Sequence, residues 1–127
     1  MSFEWADYLD LAKDLYALPA SPGPEEAALR TATSRAYYAA LHLASQRAQA
    51  EGYIPTFSGD DHQAISRHFR QLNADHVRKK IASDLDRMRQ SRNQADYDLT
   101  LKQTPRAMAD LTIKSAEQTI SALASLE

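Results

Sequence analysis

The sequence predicts an all-α bundle of four or five helices, and three observations carry that expectation. Apolar residues recur at steps of three or four along most of the chain, the period of a helix with one buried face. No stretch alternates apolar and polar residues as a half-buried strand does. Glycine is scarce, 3 in 127 residues, so glycine-rich phosphate loops are absent. One domain over residues 1–127 is expected, with its core between about 25 and 123 and an N-terminal helix over 3–17.

Taken in order, the first helix places Trp5, Tyr8, Ala12 and Leu15 on one face and Glu4, Asp7, Asp10 and Asp14 on an acidic side. Pro19, Pro22, Gly23 and Pro24 then form a segment that no helix interior tolerates. Ser21 or Gly23 is placed to cap the second helix, with Pro24 near its first turn and Glu25 and Glu26 at the positive end of its dipole. That helix runs from about Glu25 to Ala50. It is apolar or small on most sides from Ala32 to Ala48, as a central helix is, and alanines at 32, 36, 39 and 40 let neighbours approach closely. Thr31, Arg35, Tyr38, His42 and Gln46 form one polar stripe along it, either a solvated side or the wall of a cleft.

Gly52 ends the second helix, and the apolar residues of the loop from Tyr53 to Gly59 are expected to fold back on the bundle. Asp60 and Asp61 open a short third helix reaching about Leu72, with Ile65, Phe69 and Leu72 facing the core. After a break at Asn73 to Asp75, the fourth helix extends to about Leu101. Thr104 and Pro105 read as cap and first residue of a fifth, whose face carries Ala109, Thr112, Ile113, Ala116, Ile120 and Leu123. The long second and fourth helices are the expected core pair.

Composition narrows the chemistry. With no cysteine, disulfides, thiolate metal sites and cysteine nucleophiles are excluded. No Glu-x-x-His or His-x-x-x-His spacing occurs, and His62 and His68 are poorly spaced to share a metal, so neither a metal nor a cofactor is expected. No apolar run approaches the length of a membrane span, and the N-terminus lacks a secretory pattern, so the expected location is the cytoplasm. The net charge of −2 is unevenly distributed: residues 1–30 hold six acids and two bases, residues 67–92 eight bases and three acids. Those bases, Arg67, Arg70, Arg78, Lys79, Lys80, Arg87, Arg89 and Arg92, form either a phosphate-holding surface or a solvated face balanced by the acidic first helix or a partner chain.

Arg92 is the residue that asks for an explanation. Val77, Ile81, Leu85, Met88, Ala95 and Leu99 form the apolar stripe of the fourth helix. At about 100° per residue, Arg92 falls within about 20° of Ile81, Leu85 and Leu99. A permanent cation on a core-facing stripe needs a partner, a ligand or a wet cleft. Asp96, one turn on, offers either a structural ion pair or, with Arg92, a cation and carboxylate for phosphoryl chemistry on RNA. Asn93 and Gln94 add amide groups on the flank.

Ser34-Arg35-Ala36-Tyr37-Tyr38-Ala39-Ala40-Leu41-His42, then His62, then Arg92-Asn93-Gln94-Ala95-Asp96-Tyr97-Asp98 in this order resembles the prokaryotic HEPN domains over roughly residues 25–123. The resemblance implies a HEPN-like all-α bundle that dimerises, often beside a minimal nucleotidyltransferase partner, and in many members a metal-independent endoribonuclease acting as a toxin. It assigns Arg92, Asn93 and Asp96 to catalysis: Arg92 stabilises the phosphorane, Asn93 positions it and Asp96 orients the arginine. Arg35, Tyr38, His42, His62 and Tyr97 become ligand-binding candidates. Tyr97 stands where the family's histidine most often does, so His42 or His62 has to replace that histidine for catalysis. The alternative is a non-catalytic module that binds a nucleotide or the partner. By the same analogy Tyr97 is a candidate for nucleotidylation by that partner.

Overall fold

Small side chains decide the centre of this fold. In the computed structural model, which describes residues 3–18, 25–71 and 73–126, the alanines at 32, 36, 39, 40, 44 and 48 have no exposed surface. They lie on α2 (Glu25–Ala50), which touches all four other helices: α1 (Asp7–Ala17), α3 (Asp60–Phe69), α4 (His76–Tyr97) and α5 (Pro105–Ser125). With only a methyl group on each of these positions, several helices can approach one axis at once. The result is an all-α bundle of five helices with no strand among the described residues.

The partner α2 packs against most extensively is α5, not α4. This corrects the expected core pair. Met108, Ala109, Thr112, Ile113, Ala116, Thr119 and Leu123 give α5 a continuous buried face. On α4, Ile81, Ala82, Leu85, Met88 and Ala95 share the helix with a run of charged side chains.

Local signals set most of the helix ends. The Asp75 carboxylate accepts from the Arg78 N–H at 2.9 Å, and the Thr104 hydroxyl accepts from the Ala107 N–H at 3.1 Å, with Pro105 next in sequence. Gly52 takes φ of 104° just beyond α2, a region open to glycine and costly for other residues. Asn73, at φ of 73°, turns the chain between α3 and α4.

Three helix bounds need correction. The first helix begins at Asp7 and not at residue 3. The third ends at Phe69, and Leu72 lies outside the described residues, as do Pro19, Ser21, Pro22, Gly23 and Pro24. The fourth ends at Tyr97, leaving Leu99 94% exposed and off the apolar stripe. Its carbonyls are instead taken by Arg30 of α2. Arg30 Nη1 donates to Ala95 O at 3.1 Å and Asp98 O at 2.5 Å, and Nη2 donates to Leu99 O at 3.0 Å. A cation at a helix C-terminus satisfies orphan acceptors and the negative end of the dipole together.

In the loop before α3 only Tyr53 packs on the core, while Ile54 and Phe57 are exposed. Asp61 holds this loop, accepting from the N–H groups of Thr56 at 2.9 Å and Phe57 at 2.7 Å and from the Tyr53 hydroxyl. Those donors, the Thr56 amide first, hold the Asp61 carboxyl down at about 2. Among the described residues no helix is long and apolar enough to cross a membrane.

Candidate phosphate-binding site

Tyr38 is the meeting point of the predicted site residues. Its ring is half-buried on α2, and the guanidinium carbons of Arg35 and Arg92 lie 5.0 and 5.1 Å from its centre. The rings of His42 and His62 lie 5.9 and 6.0 Å from it. Two cations on one π face system and two imidazoles thus converge from α2, α3 and α4. Helical spacing explains the α2 part, since Arg35, Tyr38 and His42 follow at three and four residues. Over that length the stripe meets aromatic and cationic side chains of other elements, while Thr31 and Gln46 at its ends are exposed.

Arg92 has the company its position demands. Its side chain is 17% exposed, its Nε lies 2.9 Å from Asp96 Oδ2, and its Nη1 donates to Asn93 Oδ1 at 2.9 Å. The Nε contact pairs charge without good N–H alignment, so the buried Nε–H lacks a hydrogen-bond acceptor. Nη2 has no hydrogen-bond partner among the described residues. Asp96 is held from the other side by the Ser34 hydroxyl, which donates to Oδ2 at 3.2 Å. Tyr97, 74% exposed, lies with its ring centre 5.5 Å from the Arg92 guanidinium carbon. Asn93 and Asp96 are therefore supports of Arg92, and Tyr97 is its solvent-side neighbour.

The two histidines are in different states of engagement. His62 Nδ1 lies 2.5 Å from the hydroxyl of Tyr37, which is 1% exposed. Burial pushes the Tyr37 hydroxyl well above its ordinary range, so it keeps its proton, and no other acceptor among the described residues meets it. Tyr37 is then the donor and Nδ1 the acceptor. Burial first, then the charges of Arg89 and Arg92, lower the His62 pKa and keep the ring neutral. A neutral imidazole that accepts at Nδ1 carries its proton on Nε2. His62 Nε2–H is therefore a donor with no acceptor among the described residues.

His42 is stacked on Trp5, with ring centres 3.6 Å apart and planes 13° from parallel. Burial and then Arg35 lower its pKa, and neither ring nitrogen has a hydrogen-bond partner among the described residues. Trp5 and Tyr8 extend the aromatic wall, with Arg35 4.8 Å from the Tyr8 ring centre. Sequence reasoning placed Trp5 and Tyr8 on a core face and missed this role. It also missed Ser34 and Tyr37, although both fall inside the motif carrying Arg35 and Tyr38. Among the described residues no group of three His, Asp or Glu side chains converges as a metal site.

The basic run of residues 67–92 is paired mainly by Glu51, just past the end of α2, and by acids of α4, and not by α1. Arg78 joins Glu51, Lys80 and Arg87 join buried Asp84, and Arg70 joins Asp86 at 2.7 Å. Of the alternatives for this run, balance by the acidic first helix is not what the fold provides, since α1 and α4 are not in contact among the described residues.

No family model, no curated protein and no solved structure matches this chain.

Proposed function

We propose that this chain is a HEPN-like RNA-binding protein, one half of a toxin and nucleotidyltransferase pair, seating an RNA phosphate between Arg92 and His62. The observation that carries the reading is the convergence of Arg92 from α4 and His62 from α3 on Tyr38 of α2. Arg92 Nη2 and His62 Nε2–H both donate, and a phosphate diester accepts at two oxygens. Neighbouring aromatic faces, chiefly exposed Tyr97, suit stacking of an unpaired base. A homodimer with a second copy of this cluster across its interface belongs to the same reading. So does a partner enzyme that modifies the exposed Tyr97 hydroxyl.

A metal-independent endoribonuclease is the second reading, favoured by the neutral, unbonded imidazole of His42. In that scheme His42 takes the proton of the 2′-hydroxyl, O2′ bonds to phosphorus, and the P–O5′ bond breaks. The 5′-oxygen leaves with a proton from water, and Arg92 stabilises the charge on the phosphorane. Conversely, Arg92 already holds Asp96 and Asn93, an engaged state that suits a binding module.

Fluorescence anisotropy with a labelled single-stranded RNA tests the reading. Wild type binds, and Arg92→Ala weakens binding by about tenfold or more. Equal affinity of the two proteins removes Arg92 from the site. Incubation of total RNA without metal separates the second reading: cleavage lost in both Arg92→Ala and His42→Ala supports it, and no cleavage by wild type removes it.

A further inference from the structure

A groove of about 500 Å³ opens between α3 and α4, beside the Tyr38 cluster. Arg67, Arg70 and Arg89 line it together with Ser66, Gln63 and Asn93, and one acid, Asp86, faces them. Asp86 neutralises Arg70. Arg67 and Arg89 have no carboxylate within ion-pairing distance among the described residues. Among the described cations of residues 67–92, Arg70, Arg78, Lys80, Arg87 and Arg92 each have an acid, and exposed Lys79 is unpaired like Arg67 and Arg89 but lies outside the groove lining. Two unpaired guanidinium groups at one concave place, flanked by amide and hydroxyl donors, match the oxygens of a phosphate diester.

The groove also joins the site already described. Asn93 lines it and, through Oδ1, accepts from Arg92 Nη1. Arg89 stands one helical turn before Asn93 on α4, about 6 Å along the axis. A chain of successive phosphates can therefore pass from Arg67 and Arg89 to Arg92, whereas one mononucleotide phosphate would engage only one of these places. Beyond Arg92 stands Tyr97, 74% exposed. A basic track ending at aromatic faces is the arrangement that holds a single strand.

We propose that the α3–α4 groove is a second phosphate subsite, in which Arg67 and Arg89 hold the backbone of a single-stranded RNA whose next phosphates reach Arg92. The proposal rests on the RNA reading of the Arg92 cluster. Its test is the salt dependence of binding, because each phosphate neutralised on a single strand contributes about 0.7 to the slope of log affinity against log salt. A single-stranded oligoribonucleotide is titrated into wild type, Arg67→Gln/Arg89→Gln, Arg67→Lys/Arg89→Lys and Arg92→Ala over a range of salt. Circular dichroism confirms that each is folded. The Gln pair is expected to lower the slope by about 1.4 and the affinity by about tenfold, and the Lys pair to keep the wild-type slope.

An unchanged slope in the Gln pair, with binding still weakened by Arg92→Ala, overturns the groove and leaves the RNA reading standing. A reduced slope in the Gln pair with Arg92→Ala unaffected supports the groove and overturns the Arg92 site. If ATP or inorganic phosphate binds as tightly as the oligonucleotide and shows the same loss, the groove is a mononucleotide site and the backbone proposal falls. Absence of RNA binding by wild type at low salt overturns both.

Discussion

The buried hydroxyl of Tyr37 lies 2.5 Å from Nδ1 of His62, joining the core of α2 to the half-buried ring on α3. Because this hydroxyl keeps its proton, the contact sets the tautomer of a histidine on the next helix, 25 residues away in the chain. It makes Tyr37 a positioning residue.

Replacing Tyr37 by Phe removes that donor and leaves the ring packing nearly unchanged. Nitrogen-15 NMR of the imidazole is expected to show the Nε2–H tautomer in wild type and a mixture in Tyr37→Phe, with a stability loss of about 1 kcal/mol. RNA affinity is expected to fall with the loss of the oriented Nε2–H. A wild-type ring protonated at Nδ1 contradicts the assignment.

Arg30 is the second long-range positioning group, since its fork closes the end of α4 next to Asp96 and Tyr97. Arg30→Ala is expected to cost about 2 kcal/mol, and Arg30→Lys most of that, because a point charge cannot serve carbonyls on two sides. Hydrogen exchange is the check: amides near the C-terminus of α4 exchange faster in both variants. Unchanged protection there contradicts the capping role.

Glu51 supplies a pH dependence with a definite sign. Hydrogen bonds from Arg78 first, with His68 and Arg47, hold its carboxyl at about 2 against an ordinary 4.5. A depressed folded-state value means that the stabilisation is complete above pH 4.5 and is lost as pH falls towards about 2. Urea unfolding over this window is expected to show a steep loss in wild type and a flatter profile in Glu51→Gln. At neutral pH Glu51→Gln costs about 2 kcal/mol. Parallel pH profiles contradict this account of the cluster.

Much of this was legible before any coordinates. The helical period, the Thr104-Pro105 start, the break at Asn73 to Asp75 and the alanine-rich middle of α2 are local signals, and each appears in the fold. The shared face of Arg35, Tyr38 and His42 was legible for the same reason, because three- and four-residue spacing survives folding. What stayed hidden depends on contacts between residues far apart in sequence. Arg30 ends α4 from 64 to 69 residues away, so the end of that helix could not be read from its own residues. Tyr37 meets His62 across 25 residues, and Trp5 covers His42 from a segment read only as a core face. The loss of Leu99 from the apolar stripe follows from that early end of α4, since periodicity continues in a sequence even where the helix stops.

The most direct test of the central claim is to map where RNA touches the protein. Backbone amides of nitrogen-15-labelled protein are followed by NMR while a short single-stranded RNA is added without metal. The account predicts the largest shifts at Tyr38, His62, Arg92 and Asn93, with smaller ones at Arg67 and Arg89. Shifts confined to the exposed face of α5, or none at saturating RNA, contradict it.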